Sequence, residues 1–340
     1  MDFVTGATGL VGRELVALLL ESGSKVKALR RESSDVESVE NFITLRGLPL
    51  QNLSWFLGDA LDFEEMEEAI TGCSRVFHLA ALVSFSPFDE EVLNEINVGG
   101  TRNIVNVMLE SGVKDLYYIS SVSALGVDHN KPVNEETPWE DGPHVTHYSR
   151  SKYHAELEVW RGSEEGLNVV ILNPSVVIGE GDFSRSSGQF FSQIHSGIPP
   201  AYPAGANGFV SARDVASACV ALSKTDIKNQ RFLLNSTNSS YKDLFKSIAH
   251  SINAAPPAKP IKGWMINLAI VIFRIKHMFT GIKPPASKIS LSMSQFVTEY
   301  DGSKIVSSLY EEGVEWDYES IEDAIERTGK AYLASIQSYS

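Results

Sequence analysis

The chain has 340 residues, of which 43% are hydrophobic and 21% are charged, a composition typical of a globular protein with one large domain and a smaller lobe. It has 29 lysine and arginine residues against 43 aspartate and glutamate residues, so its net charge is −14. This balance argues against nucleic acid as a partner, because no basic surplus is available to neutralise phosphates.

The first predicted elements are a strand, a glycine-rich turn and a helix. The apolar pair Phe3-Val4 precedes TGATGLVG at 5–12, and an amphipathic stretch follows at 13–21. This order is typical of a dinucleotide-binding βαβ unit, although a plain glycine turn remains the alternative. Gly6 would permit the tight turn, Gly9 would let the backbone approach a pyrophosphate, and Gly12 would let the helix pack close to the strand. The phosphate would then bind the free N–H groups at the start of the helix.

Strand-like runs and helical patterns alternate through the first half of the chain. Strands are predicted at 25–29, 53–57, 75–79, 116–120 and 168–172, and helices at 63–70, 90–111 and 146–161. The alternation predicts an α/β fold with a Rossmann-type doubly wound parallel sheet and helices on both faces. Ligands of such sheets bind beyond the carboxyl ends of the strands.

The pattern changes after residue 178. Residues 180–207 are rich in Gly, Ser and Pro, which favours a long excursion over the site, and residues 209–222 indicate a return to the main domain. We therefore predict a dinucleotide-binding Rossmann domain over 1–178, to which 209–234 returns. Residues 179–208 and 235–340 are predicted to form a smaller C-terminal α/β lobe that binds the substrate.

Two features bear on location. The most apolar late stretch, 264–273, has about ten residues before Arg274 and Lys276, and a bilayer span needs about twenty. No transmembrane segment is expected, and the stretch is either a lobe helix or a patch that touches a membrane or an apolar substrate. We expect no signal peptide, and we interpret Cys73 and Cys219 as buried thiols of a reducing, cytoplasmic compartment. We also expect no metal site.

Residues that carry chemistry follow the predicted fifth strand. Tyr148 and Lys152 are four residues apart and therefore share one face of a helix. A free tyrosine has a pKa of about 10, and a neighbouring ammonium would lower it, so that Tyr148 can exchange a proton with a substrate oxygen. The serines Ser121 and Ser123 follow the strand and can hydrogen-bond a reacting carbonyl oxygen.

Further motifs extend over nearly the whole chain in a specific order. They are TGATGLVG at 5–12, GDALD at 58–62, HLAA at 78–81, NVGGT at 97–101, ISSVSALG at 119–126, YSRSK at 148–152, NPSVVIG at 173–179, VSARDVA at 210–216 and YDGSK at 300–304. The set resembles the extended short-chain dehydrogenase/reductases, a group within the NAD-dependent epimerase/dehydratase superfamily. Its strongest resemblance is to the dihydroflavonol-4-reductase-like and 3β-hydroxysteroid-dehydrogenase-like branch.

The resemblance implies roles for particular positions. It implies Ser121, Tyr148 and Lys152 as the catalytic residues, with Ser123 as the fallback for Ser121, and it implies a homodimer. Asn97, Thr101 and Asp214 are interpreted as structural braces. The implied cofactor-binding residues are Gly6, Thr8, Gly9, Leu10, Val11, Gly12, Asp59, Ala60, Leu79, Ala80, Ala81, Tyr148, Lys152, Pro174, Val176 and Val177.

The end of the second predicted strand bears on the choice of cofactor. NAD-specific folds of this type place an acid there, whereas this chain has Arg30 and Arg31. Two guanidiniums suit a 2′-phosphate, so we predict a preference for NADP(H), with NAD(H) possible. The alternative is that both arginines are merely exposed charges.

The residues that can be assigned to a substrate pocket are mostly apolar. The substrate candidates are Val83, Phe85, Ser123, His147, Phe190 and Tyr202. They favour an NADP-dependent oxidoreductase that interconverts a carbonyl and a secondary alcohol on a small, apolar or aromatic substrate. Two alternatives remain. One is a nucleotide-sugar epimerase, which is less favoured because no arginine or lysine lies between Arg185 and Arg213 to bind the diphosphate of the sugar. The other is a non-catalytic NADP-binding sensor or scaffold.

Overall fold

The computed structural model describes residues 1–128, 130–143, 145–197 and 201–337. Its strands are β1 (Asp2–Thr5), β2 (Val26–Arg30), β3 (Leu53–Leu57), β4 (Arg75–His78), β5 (Asp115–Ile119), β6 (Asn168–Pro174), β7 (Val176–Ile178), β8 (Ala201–Tyr202), β9 (Ala206–Ser211), β10 (Gln230–Leu234), β11 (Thr237–Ser240) and β12 (Lys259–Pro260). Its helices are α1 (Leu10–Glu21), α2 (Val36–Leu45), α3 (Phe63–Ile70), α4 (Glu90–Leu93), α5 (Gly100–Ser111), α6 (His147–Glu164), α7 (Gln189–Ser196), α8 (Ala212–Leu222), α9 (Tyr241–Ser251), α10 (Gly263–Thr280), α11 (Lys288–Met293), α12 (Ser303–Glu311) and α13 (Ile321–Gln337).

The main sheet has seven strands in the order β10-β6-β5-β4-β1-β2-β3, and each neighbouring pair is parallel. At its centre, Val4 pairs with Ala28 on one side and with Phe77 on the other. These side chains are fully buried, as expected when helices cover both faces of a parallel sheet. The prediction of a Rossmann-type doubly wound sheet is confirmed.

Helices from different parts of the chain cover the two faces of this sheet. On one face, Leu15 and Leu19 of α1 share a core with Val215 and Leu222 of α8. On the other face, helices α3, α5 and α6 enclose a second core that includes Met66. The predicted helix at 90–111 is a continuous run of α4, a π-helical segment over Asn94–Gly99, and α5.

The region after β6 contributes to two sheets. Strand β9 pairs with β7 and β11 in a separate three-stranded sheet, while α8 and β10 pack with the main sheet. Helix α12 lies in the segment assigned to the lobe, yet its Ile305 and Leu309 are buried in the same core as α1, and α12 packs against β10. The rest of the lobe core lies among α7, α9 and α13, around Phe191 and Phe245.

Helix α10 lies at the periphery, where Ile266 is buried and most of its other side chains are exposed. None of the helices in the described ranges is both long enough and apolar enough to cross a membrane.

Candidate active site

The glycine-rich turn between β1 and α1 is shaped by close backbone contacts. Gly6 has a φ of +67°, and a Cβ atom there would lie 2.7 Å from the backbone nitrogen of Ala80. A Cβ atom on Gly12 would lie 2.1 Å from the carbonyl oxygen of Gly6. Both positions therefore require glycine, one for the turn against the end of β4 and the other for close packing of α1.

The start of α1 is open to a ligand. Gly9 occupies the N-cap position, is exposed, and provides no side-chain cap, so the first N–H groups of the helix are left for an anion. Thr8, Leu10 and Val11 belong to the same turn. Within the described residues, no ion pair or side-chain hydrogen bond involves the guanidinium of Arg30 or of Arg31 at the end of β2. The open helix start fits the pyrophosphate of a dinucleotide.

A buried threonine holds the end of β4 beside the glycine turn. The Thr5 hydroxyl accepts hydrogen bonds from the backbone N–H groups of Leu79 and Ala80, each at 3.1 Å. Its oxygen also lies 2.7 Å from Nδ1 of His78, and Nε2 of His78 lies 3.1 Å from the Thr101 hydroxyl. Burial lowers the pKa of His78 to about 3, so this histidine is neutral and structural. Ala81 follows, exposed, at the same edge.

The turn after β3 also lies at the carboxyl edge of the sheet. The Asp59 carboxylate accepts a hydrogen bond from the N–H group of Leu61 at 3.0 Å, and Asp59 itself is exposed. Asn103 on α5 donates to the carbonyl oxygen of Ala60 at 3.2 Å. The side chains of Asp59 and Asn103 thus hold the turn, and Asp59 remains accessible.

Tyr148 lies in the first turn of α6, which begins after the N-cap residue Thr146. Its side chain is almost completely buried, which raises the pKa of Tyr148, and the nearby Ser121 hydroxyl lowers this pKa to a smaller extent. Ser121 precedes a short 3₁₀ turn and accepts a hydrogen bond from the N–H group of Ser123 at 3.1 Å. The structure therefore joins Tyr148 to Ser121, and Ser123 supports Ser121 through its backbone.

Lys152 lies one turn further along α6 and is 1% exposed. Its Nζ donates to the Tyr118 hydroxyl at 2.8 Å and to the carbonyl oxygen of Ile119 at 2.9 Å. Burial lowers the pKa of Lys152 to about 7, and the negative charge of Glu156 opposes this shift. Burial raises the pKa of Tyr148, so the expectation that Lys152 lowers it is wrong for this structure, because the amine is bound to Tyr118.

A buried carboxylate lies behind the catalytic candidates. Glu156, one turn after Lys152 on α6, accepts hydrogen bonds from Ser120 and Asn173, each at 2.8 Å. Its other oxygen pairs with Arg231 of β10 at 3.1 Å. This carboxylate ties α6 to the ends of β5, β6 and β10 and thereby fixes the position of Lys152.

Asn97, in the π-helical segment, braces the loop that follows β4. Its amide accepts from the N–H group of Leu82 at 2.7 Å and donates to the carbonyl oxygen of Leu82 at 3.0 Å. It also donates to Ser151 on α6 at 2.9 Å. Asp214, the other residue interpreted as a brace, accepts from the N–H group of Glu319 at 3.2 Å.

The predicted substrate residues lie in two separate parts of the structure. The ring of Phe85 lies 5.4 Å from the ring of Tyr148 in an edge-on arrangement, and Val83 is exposed in the same loop. His147 adjoins Tyr148, with Nδ1 3.3 Å from Glu90. In contrast, Phe190 and Tyr202 pack against the lobe core, and Phe190 contacts Phe245 at 5.4 Å.

The segment predicted to border the nicotinamide crosses from β6 to β7. Pro174 ends β6, and Val176 and Val177 begin β7 and are half-buried. Between them, the buried Ser175 hydroxyl has no hydrogen-bond partner among the described residues.

Sequence reasoning missed Tyr118 and Glu156. Both lie in motifs that were otherwise interpreted. Glu156 follows Lys152 by four residues, which is a visible helical spacing, and Tyr118 lies in the strand before the serine cluster. No sequence signal joins Tyr118 to Lys152, because that contact depends on how α6 packs on β5.

The chain is similar to a described family and to several known proteins. A family model described as the NAD dependent epimerase/dehydratase family matches residues 3–234. A Synechocystis sp. protein that carries the name dihydroflavonol 4-reductase is 31% identical over 316 residues, which cover 90% of this chain and 88% of that protein. Sterol demethylase protein B of Methylococcus capsulatus is 33% identical over 235 residues, 68% of each chain. The crystal structure of gox2253 superposes with a TM-score of 0.81 at 29% identity and covers 98% of both chains.

Proposed function

Because the chain belongs to the NAD dependent epimerase/dehydratase family, we propose that it is an NADP-dependent oxidoreductase that interconverts a carbonyl and a secondary alcohol on a small apolar or aromatic substrate. The observation that carries the proposal is the buried Tyr148 side chain, which lies near the Ser121 hydroxyl and is bordered by the ring of Phe85. The relatives named as a dihydroflavonol 4-reductase and as a sterol demethylase protein support a carbonyl or alcohol on an apolar framework.

When bound, the cofactor supplies or accepts the hydride. Ser121 and Tyr148 would hold the substrate oxygen between their hydroxyl groups. Because burial raises the pKa of Tyr148, its hydroxyl is protonated at neutral pH and can donate a proton to the oxygen of a carbonyl. This protonation state supports the reductive direction.

Lys152 would position the cofactor. With a pKa of about 7, its amine is partly charged at neutral pH, and Tyr118 and the Ile119 carbonyl oxygen hold it in place. The glycine turn and the open start of α1 would hold the pyrophosphate. The backbone ends of β3, β4 and β6 would border the rest of the dinucleotide.

The proposal is tested by following the nicotinamide absorbance of NADPH with purified protein and a panel of apolar ketones and aldehydes. We expect oxidation of NADPH with part of the panel, and a loss of at least about 100-fold in kcat for Tyr148→Phe. Tyr153→Phe is the matched control, since Tyr153 lies on the same helix and stacks on Trp139 at 4.5 Å, which a phenylalanine ring preserves.

Two results would overturn this assignment. Turnover of UDP-sugars without net change in NADPH would support an epimerase. Binding of NADPH with no turnover across the whole panel would support a sensor or scaffold.

The preference for NADP(H) is proposed because the guanidiniums of Arg30 and Arg31 are free at the end of β2. Replacing Arg30 with Asp should lower kcat/KM for NADPH by about 10- to 100-fold, the value of a charged hydrogen bond, and should leave kcat/KM for NADH similar or higher. Lys25→Asp is the control, because Lys25 is exposed just before the opposite end of β2. A wild-type enzyme that favours NADH would refute the preference.

We further propose a homodimer and a cytoplasmic location. The homodimer is supported by the resemblance to the extended short-chain dehydrogenase/reductases, and light scattering of the purified protein tests it. The location is supported by Cys73 and Cys219, which are both free and buried, and cell fractionation tests it.

A further inference from the structure

Helix α10 exposes a continuous apolar stripe to solvent. The stripe consists of Trp264, Leu268, Val271, Ile275, Met278 and, just beyond the helix, Ile282. These positions alternate by four and three residues, so their side chains lie along one face of the helix. Exposure reaches 63% at Trp264 and 71% at Met278, and Ile272 and Phe279 widen the stripe on one side.

The opposite face of α10 anchors the helix to the loop near Tyr148. Ile266 is buried, and the ring of His277 lies 4.5 Å from the ring of Phe88. Lys283, after the helix, pairs with Asp89 at 2.5 Å. The stripe is therefore held outward by contacts on the other side of the helix.

The chain segment that contains α10 is basic, in contrast to the acidic rest of the chain. Residues 244–298 contain no aspartate or glutamate and seven basic residues, in a protein with a net charge of −14. Arg274 and Lys276 are exposed on either side of the stripe. The basic residues of this segment are Lys246, Lys259, Lys262, Arg274, Lys276, Lys283 and Lys288.

We propose that α10 docks the protein on an anionic lipid surface. The apolar stripe would lie at the boundary of headgroups and acyl chains, and Arg274 and Lys276 would reach the anionic headgroups from both sides. Trp264 would lie at the interface, where tryptophan is favoured. A second copy of this chain fits the same face less well, because α10 has no acidic residue to pair with Arg274 and Lys276 of the other copy.

Docking through this face would bring the candidate active site to the membrane surface. The anchored side of α10 contacts Phe88, and Phe85 in the same loop contacts Tyr148. An apolar compound dissolved in the bilayer would thus be close to the site.

The test is sedimentation of the full-length protein with vesicles of phosphatidylcholine alone or mixed with phosphatidylglycerol. We expect the partition coefficient to be at least about tenfold higher for the anionic vesicles. The double substitution Met278→Ser/Phe279→Ser should lower it by at least about tenfold, and Arg274→Gln/Lys276→Gln should lower it by about tenfold. The control is Leu45→Ser, because Leu45 is 88% exposed on another part of the surface and should leave binding unchanged.

Trp264 provides an independent measure of depth. Brominated lipids should quench the additional fluorescence that Trp264 gives over a Trp264→Phe variant, and anionic vesicles should shift its emission to the blue. The proposal is overturned if the protein does not bind anionic vesicles, or if binding is unaffected by the α10 variants. A dimer in solution that Met278→Ser/Phe279→Ser disrupts, without vesicle binding, would assign the face to a second copy and also overturn it.

Discussion

Replacing Lys152 with Met tests the electrostatic consequence of burying an amine behind the candidate active site. The side chain is 1% exposed, and burial lowers its pKa from 10.5 to about 7. Between these values the unfolded chain binds a proton that the folded protein does not bind. The free energy of unfolding of the wild type should therefore rise with pH across this window.

The size of the effect follows from the shift. The difference between 10.5 and about 7 corresponds to about 5 kcal/mol at roughly 1.4 kcal/mol per pKa unit. We expect about 3 to 5 kcal/mol, because side chains and water can rearrange around the charge. Lys152→Met removes the titrating group, so the wild type should gain this amount relative to the variant between about pH 6 and pH 10.

The assay is urea unfolding of the cofactor-free protein and the variant at a series of pH values. The difference between the two curves isolates Lys152, since other titrating groups are common to both. Lys246→Met is the control, because Lys246 is exposed on α9 and its substitution should give a difference that is flat with pH. A flat difference for Lys152→Met as well would refute the argument that the amine is buried without full compensation.

Three other substitutions test how the site is held together. Gly12→Ala would place a Cβ atom 2.1 Å from the Gly6 carbonyl oxygen, so we expect a loss of about 2–4 kcal/mol in unfolding free energy and of NADPH binding measured by fluorescence. Glu156→Gln leaves Arg231 without its ion pair, and the unfolding free energy should fall by about 2–4 kcal/mol in urea. Asn97→Ala removes three hydrogen bonds, so it should cost about 2–3 kcal/mol and speed hydrogen exchange in the loop after β4.

Matched controls separate these effects from the general cost of substitution. Gly263→Ala should be neutral or slightly stabilising, because no atom lies within 4 Å of a Cβ atom there. Glu165→Gln breaks an exposed ion pair with Arg161 and should cost less than about 1 kcal/mol. If the variants at Gly12, Glu156 and Asn97 lose no more unfolding free energy than these controls, the contacts of these three residues do not hold the site.

Local rules made much of the fold predictable. The glycine spacing at 5–12 and the alternation of strands and helices depend on backbone sterics and on the period of apolar residues, and both are visible in a single chain. The same holds for Tyr148 and Lys152, whose spacing puts them on one helix face wherever the helix packs. These features led to the confirmed sheet and family.

Long-range packing decided the features that were missed. Strand β9 pairs with β7 and β11 rather than with the main sheet, and a short apolar run carries no signal for its partner. Arg231 reaches Glu156 across 75 residues of sequence, and the contact exists only because β10 lies beside β6.

By itself, the sequence determined the sheet, the nucleotide turn and the tyrosine and lysine of α6, because each follows from local spacing. Only the tertiary structure decided that Tyr118 binds the Lys152 amine. It also decided that burial raises the pKa of Tyr148, where a neighbouring ammonium was expected to lower it. It also decided that the apolar residues of α10 face outward, since the same spacing would serve a buried helix equally well. Burial and partner are properties of the packed chain, and a one-dimensional pattern does not contain them.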